Sequence, residues 1–177
     1  MGAMGTRTRQ AQSGGRPTAA VELTPQGVLA AALPARNTAA VYAFEALPAG
    51  ALTPSLTETN VQRPETVAAA IKTALEAVEP RTRAVTLVVP DTAVRVFVLD
   101  FDSLPSHAAE TLEVLRFRLR KMVPFDVERA GLSYQVLSAG KEESRVLVAT
   151  TAATVLDEYE SAVRAAGYDP GAVLPAG

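Results

Sequence analysis

The stretch AVTLVVPDTAVRVFVLDF, from Ala84 to Phe101, decides the fold. Its first six residues are almost all β-formers, and Pro90-Asp91-Thr92 then breaks the run with turn chemistry. Ala93 to Phe101 reads as a second strand. In it the Val94-Val96-Val98 row and the Phe97-Leu99-Phe101 row are both apolar. A strand with two apolar faces is expected to be covered on both sides or to lie between two layers.

Working outward from that pair toward the C-terminus, Ser106 to Met122 reads as a long helix. Ser106 caps it, Pro124 stops it, and its apolar stripe is Ala108, Leu112, Leu115, Leu119 and Met122. Leu132 to Leu137 and Arg145 to Ala149 follow as strands joined by the polar turn Ser138 to Ser144. A further helix, Ala152 to Ala166, turns Val155, Leu156, Tyr159, Val163 and Ala166 inward and ends at Gly167, a typical glycine after a helix. Ala172-Val173-Leu174 opens another strand at the point where the sequence stops, so the natural protein is expected to continue.

Toward the N-terminus, Pro64 to Val78 is a helix with proline in its first turn, where a missing N–H costs nothing. Val67, Ala68, Ile71, Ala74, Leu75 and Val78 make one stripe, and Pro80 ends it. Pro48 to Arg63 is a polar connection with little periodicity. Thr18 to Leu23, Gly27 to Leu33 and Ala39 to Leu47 are short strands that look like a meander. Residues 1–16 read as a tag and disordered leader, because Met4 follows a short run of small residues and no signal-peptide core is visible. From Ala84 onward the order is strand, strand, helix, strand, strand, helix, strand. That order suits an α/β sheet carrying a small inserted α+β unit.

Composition narrows the function. The chain has 177 residues, a net charge of −2 and no cysteine. That charge gives no bulk electrostatic case for nucleic acid, and the missing cysteines remove disulfides and thiolate chemistry. No apolar run approaches the roughly 20 residues that span a bilayer, so no direct membrane insertion is expected. His107 is the only histidine, which leaves no histidine-rich metal site. No Walker A, G-x-S-x-G or G-x-G-x-x-G pattern occurs. Asp100 and Asp102 flank Phe101 at a strand end, where a solvated turn outweighs a cation site.

The ordered series Val85 to Asp91, Val94 to Phe101, Val114 to Phe117, Val123-Pro124-Phe125, Leu132-Ser133-Tyr134-Gln135-Val136-Leu137, Val146 to Ala149 and Gly167-Tyr168 resembles the PilM family of type IV pilus assembly proteins. The match is good over roughly residues 84–174 and holds only by pattern over 18–80. PilM is similar to the cell-division protein FtsA. The resemblance therefore implies the first subdomain of an actin-like fold, residues 17–89 and 151–177, with an inserted strand-helix-strand-strand (SHS2-type) subdomain at 90–150. It also implies a cytoplasmic protein held at the inner membrane through its partners. Those partners are the cytoplasmic N-terminal peptide of PilN, other pilus platform proteins and motor ATPases. ATP binding between two actin-like halves is implied as well, although the second half is absent from this sequence. The type II secretion protein GspL has a similar layout and is the alternative, its partner being the secretion ATPase's N-terminal domain. A nucleotide-dependent switch in the longer protein is the other alternative.

Tested residue by residue, the resemblance carries unevenly. Actin-like ATPases place a D-x-G-S turn after the first strand. In register, Glu22 stands at the aspartate, Thr24 replaces the glycine, Pro25 removes a backbone donor, and Gly27 follows. Either the phosphate loop has decayed or the register at this end is shifted. No catalytic residue is assigned, and the protein is read as a scaffold, not an enzyme.

The run Arg116-Phe117-Arg118-Leu119-Arg120-Lys121 has a bland explanation in the helix dipole, which favours cations in the last turn. Phe117 does not share it. At about 100° per residue it falls among Glu110, Glu113, Arg120 and Lys121 on the polar face, so either the first subdomain packs over it or a partner does. Arg116, Phe117, Arg120, Lys121, Pro124 and Phe125 are accordingly the candidate partner-binding residues.

Overall fold

The computed structural model describes residues 17–33, 39–140 and 143–176; the reading of 1–16 as tag and leader lies outside them. The chain is a mixed α/β structure with two sheets. Strands β1 (Ala19–Thr24), β2 (Gly27–Ala32), β3 (Val41–Ala46), β4 (Ala84–Val89) and β8 (Asp169–Pro175) form a five-stranded sheet in the order β3-β2-β1-β4-β8. Helices α1 (Pro64–Val78) and α3 (Ala153–Ala165) belong with it. Strands β5 (Arg95–Phe101), β6 (Gly131–Ala139) and β7 (Ser144–Thr151) form a three-stranded antiparallel sheet, β5-β7-β6, that carries α2 (Ala108–Leu119).

The N-terminal meander is antiparallel throughout. The Thr24 hydroxyl both accepts the Gly27 N–H (3.2 Å) and donates to the Gly27 carbonyl (3.0 Å), closing the β1–β2 turn. Glycine is required there for close approach: a Cβ would lie 2.4 Å from the Glu45 carbonyl oxygen and from the Phe44 ring. Beyond β1 the pairing becomes parallel, β1 to β4 and β4 to β8, which needs the crossovers supplied by α1 and by the whole 95–165 segment. The α1 stripe of Val67, Ala68, Ile71, Ala74, Leu75 and Val78 is buried as its spacing predicts. It packs with Val21, Leu23, Val28, Leu87 and, from α3, Val155, Tyr159 and Val163 into one large core.

The connection 47–63 is more ordered than its composition suggests. Asn60 is fully buried. Its backbone N–H and that of Val61 both donate to Glu158 Oε2 (2.7 and 2.8 Å), and the Tyr159 hydroxyl donates to Asn60 Oδ1 (3.0 Å). Its side-chain amide donates to the Ser55 and Glu58 carbonyls. Burial, with the Glu158 carboxylate adding to it, pushes the Tyr159 hydroxyl well above the usual phenol range, so it stays a donor.

The smaller unit departs from several sequence expectations. Helix α2 starts at Ala108, with His107 as N-cap and no side-chain cap bond; Ser106 is exposed and does not cap it. The buried positions are Thr111, Leu115 and Leu119, while Ala108 and Met122 are exposed and Leu112 is half-buried. Thr111 enters the stripe because its hydroxyl donates to the Pro105 and His107 carbonyls, leaving its methyl to pack. The core beneath is small: Leu99, Leu115, Leu119, Val127, Val146 and Val148, flanked by Phe97, Phe101, Val123 and Tyr134. The expectation that β5 is covered on both faces fails. Its Phe97-Leu99-Phe101 row packs inward, but Val96 and Val98 are 51% and 54% exposed, because no helix crosses the outer face of this sheet among the described residues. Ala93 and Val94 are not in the strand either: Asp91–Ala93 is a single 3-10 turn and β5 starts at Arg95.

Candidate functional site

The C-terminal half of α2 and the chain that leaves it hold the partner-binding candidates, and the structure sorts them into two groups. Arg116 turns inward. Its guanidinium donates to the Val127 and Ala130 carbonyls and pins the return loop to the helix. Phe125 is half-buried and packs against the larger core, while Val123 packs against the smaller one. The Val123-Pro124-Phe125 segment thus links the two cores, and only part of Phe125 remains at the surface.

The second group faces solvent. Phe117 is 71% exposed, so the first subdomain does not pack over it. The Arg120 guanidinium lies 5.7 Å from its ring centroid, a cation–π contact. Arg120 also donates two bonds to Glu128 Oε1, at 2.9 and 2.6 Å. Its fork is therefore held beside the ring. Lys121 is exposed and makes no ion pair among the described residues, and Pro124 and Met122 are exposed beside it in sequence. Met122 was placed in the core by its spacing. The helix ends at Leu119, and the loss of helical phase after that residue turns it outward.

The second candidate, the β1–β2 turn, has a different character. Glu22 is half-buried on the sheet face opposite the core, paired across from Leu29 and beside Val88. No hydrogen bond or ion pair reaches its carboxylate among the described residues. Thr24 and Gly27 are bound to one another, and Pro25 has no N–H. Of the amides that a phosphate would use in such a turn, one is missing and one is engaged, which does not fit a nucleotide cradle. Among the described residues no group of three or more His, Asp or Glu side chains is placed to hold a metal ion. Asp100 pairs with Arg145 across the strands instead of facing Asp102 over a cation.

Comparison with solved structures places this architecture. One match is a chain of the PilM-PilN type IV pilus biogenesis complex, with a TM-score of 0.71 over 91% of this chain at 21% identity. The fold is PilM-like and actin-like. Another is the cytoplasmic domain of EpsL, an inner-membrane component of the type II secretion system of Vibrio cholerae, with a TM-score of 0.55 over 89% of this chain at 18% identity. The chain spans 46% of the first structure and 56% of the second. No protein-family model matches the sequence, and no curated protein matches it. Among the described residues no helix is long and apolar enough to cross a membrane.

Proposed function

We propose that this chain is the first actin-like subdomain, with its SHS2-type unit at 90–150, of a cytoplasmic scaffold in a type IV pilus platform. It works by binding and not by catalysis, and it captures the N-terminal cytoplasmic peptide of a PilN-type inner-membrane protein. The observation that carries the reading is Phe117. An aromatic ring standing clear of its helix, braced by Arg120 and beside the unpaired charge of Lys121, is costly to leave wet and is the kind of anchor that dominates binding energy. The solved PilM-PilN complex supports a partner of that type.

A GspL-like secretion role is the second reading, favoured by the EpsL likeness; the lower TM-score places it second. We further infer that nucleotide is not a ligand of this chain, because the Thr24–Gly27 closure occupies the turn.

Titration calorimetry of this chain with the N-terminal peptide of a PilN-type protein tests the proposal. Phe117→Ala is expected to weaken capture by about 1–3 kcal/mol and to shift stability by less than about 1 kcal/mol, the usual range at exposed sites. Undiminished affinity in Phe117→Ala would remove α2 from the partner site. Binding of the secretion ATPase's N-terminal domain in place of the PilN peptide would select the second reading.

A further inference from the structure

Phe117 and Arg120 are three residues apart at the end of α2, so helix geometry alone puts them within reach of each other. Reach is not position. A surface arginine has many rotamers, and the helix does not by itself select the one that lies 5.7 Å from the ring centroid. The selection comes from outside α2. Glu128, on the chain that returns past the helix, accepts both the Nε–H and an Nη2–H of Arg120 on one oxygen, at 2.9 and 2.6 Å.

Glu128 is in turn held in place from both sides. Its own N–H donates to Asp126 Oδ1 (3.0 Å), and the Ala130 N–H donates to the Asp126 carbonyl (3.1 Å), which closes the turn around it. Val127 and Ala130 are buried. Their carbonyls accept from the guanidinium of Arg116, one helical turn before Arg120. The helix thus clasps the return chain with one arginine, and the return chain clasps the next arginine of the helix. At 57% and 51% exposure, the Arg120 and Glu128 side chains are too wet for their pair to add much stability. Its consequences are geometric and electrostatic: the guanidinium is fixed beside the ring, and the edge with which arginine grips a carboxylate is already taken.

We propose that Glu128 is the positioning residue of the Phe117 face, presetting the ring and its guanidinium brace before a partner arrives, and that Arg116 sets Glu128. The inference rests on the reading of Phe117 as a partner contact. Its benefit is preorganisation, because a side chain already ordered loses less freedom on binding. Glu128 also makes the face selective. With Arg120 occupied, an apolar segment that covers the ring is accepted, while a partner carboxylate finds no paired grip on this arginine.

Two measurements on the 177-residue chain keep this inference apart from the reading beneath it. The first needs no partner. NMR is expected to show the Arg120 Nε–H ordered and slow to exchange, with its side-chain protons shifted by the Phe117 ring. Glu128→Ala averages these signals toward those of a free arginine, Glu128→Gln retains part of them, and Arg116→Lys weakens them. Sodium acetate at constant ionic strength moves the Arg120 Nε–H in Glu128→Ala and not in the wild type. The second measurement is calorimetry with the N-terminal peptide of a PilN-type protein. Glu128→Ala is expected to weaken capture about twofold to fivefold, the size of one exposed ion pair, with the melting temperature unchanged. That loss disappears in the Phe117→Ala background, as it must for a residue that acts through Phe117. The proposal is overturned by Arg120 signals that are the same in wild type and Glu128→Ala, or by a Glu128→Ala loss that persists in full without Phe117. Undiminished capture by Phe117→Ala sinks the functional reading instead, and the Arg120 signals still decide whether Glu128 sets the brace.

Discussion

The five-stranded and three-stranded units solve one problem, covering a sheet face, with very different amounts of material. The larger sheet buries its inner face under two helices, and α1 and α3 present apolar stripes that meet each other as well as the strands. The smaller sheet has one helix of twelve residues with three buried positions, and its outer face is bare. Since stability near 25 °C scales with apolar area removed from water, the larger unit is expected to be the more stable of the two. The candidate interaction surface, the Phe117 face, lies on the smaller unit. Recognition surfaces are expected at the less stable end of a molecule, where local opening is cheap.

The largest effects should separate the units. Ile71→Ala and Leu115→Ala each remove a fully buried side chain and should each cost about 2–5 kcal/mol. Their reach should differ. Ile71→Ala is expected to release amide protection across both sheets, whereas Leu115→Ala releases β5, β6, β7 and α2 and leaves β1, β2 and β4 protected. Equal loss everywhere in Leu115→Ala would show one cooperative unit and dissolve the comparison.

The next effect sharpens it from the other side. Asn60→Ala removes the side-chain part of the knot that ties the 47–63 connection to α3, leaving the Tyr159 hydroxyl and the Ser55 N–H without their acceptor while the backbone bonds to Glu158 remain. Unsatisfied buried groups cost about 1–3 kcal/mol each, so a loss of about 2–4 kcal/mol is expected by chemical denaturation. It should fall on the larger unit alone. A loss below about 1 kcal/mol would mean that water replaces the knot.

Much of the larger unit was legible in the sequence, because its elements carry a clear period and unambiguous punctuation. Pro64 opens α1 at its first residue, and the stripe from Val67 to Val78 is buried throughout. Ala84–Val89 is a strand over the full predicted run. The Asn60 knot was not legible, since its partner Glu158 lies 98 residues away and no local pattern marks the pair. In the smaller unit the period misled. Leu112 and Met122 fit a helical stripe, yet a single helix on this sheet buries only one narrow row, Thr111, Leu115 and Leu119. Phe117 stood out because it violated the period, and the structure leaves it exposed. Arg116 and Phe125 look the same in sequence as Arg120 and Phe117; only the return of the 123–130 chain past α2 tells them apart.

The smallest effect concerns the bare outer face of the smaller sheet. Arg145 on β7 donates from Nε to Asp100 Oδ1 on β5 at 2.7 Å, with both side chains half exposed. That hydrogen bond, ahead of a weaker burial effect in the other direction and the attraction of the Arg145 charge, holds the Asp100 carboxyl below the usual carboxylate range. The sign follows directly. A carboxyl whose folded value is depressed stabilises the fold above its unfolded value, about 3.9 for aspartate, and loses that contribution as pH falls through the folded value. A pH series from 6 to 2 should therefore show β5 and β7 amides losing protection slightly before those of β1 and β4, by more than in Asp100→Asn. The gap between the two proteins should shrink in high salt, since an exposed pair is screened. Identical pH profiles for wild type and Asp100→Asn would mean that the pair follows the strand register without reinforcing it. The smaller sheet would then rest on Leu99, Leu115, Leu119 and their neighbours alone.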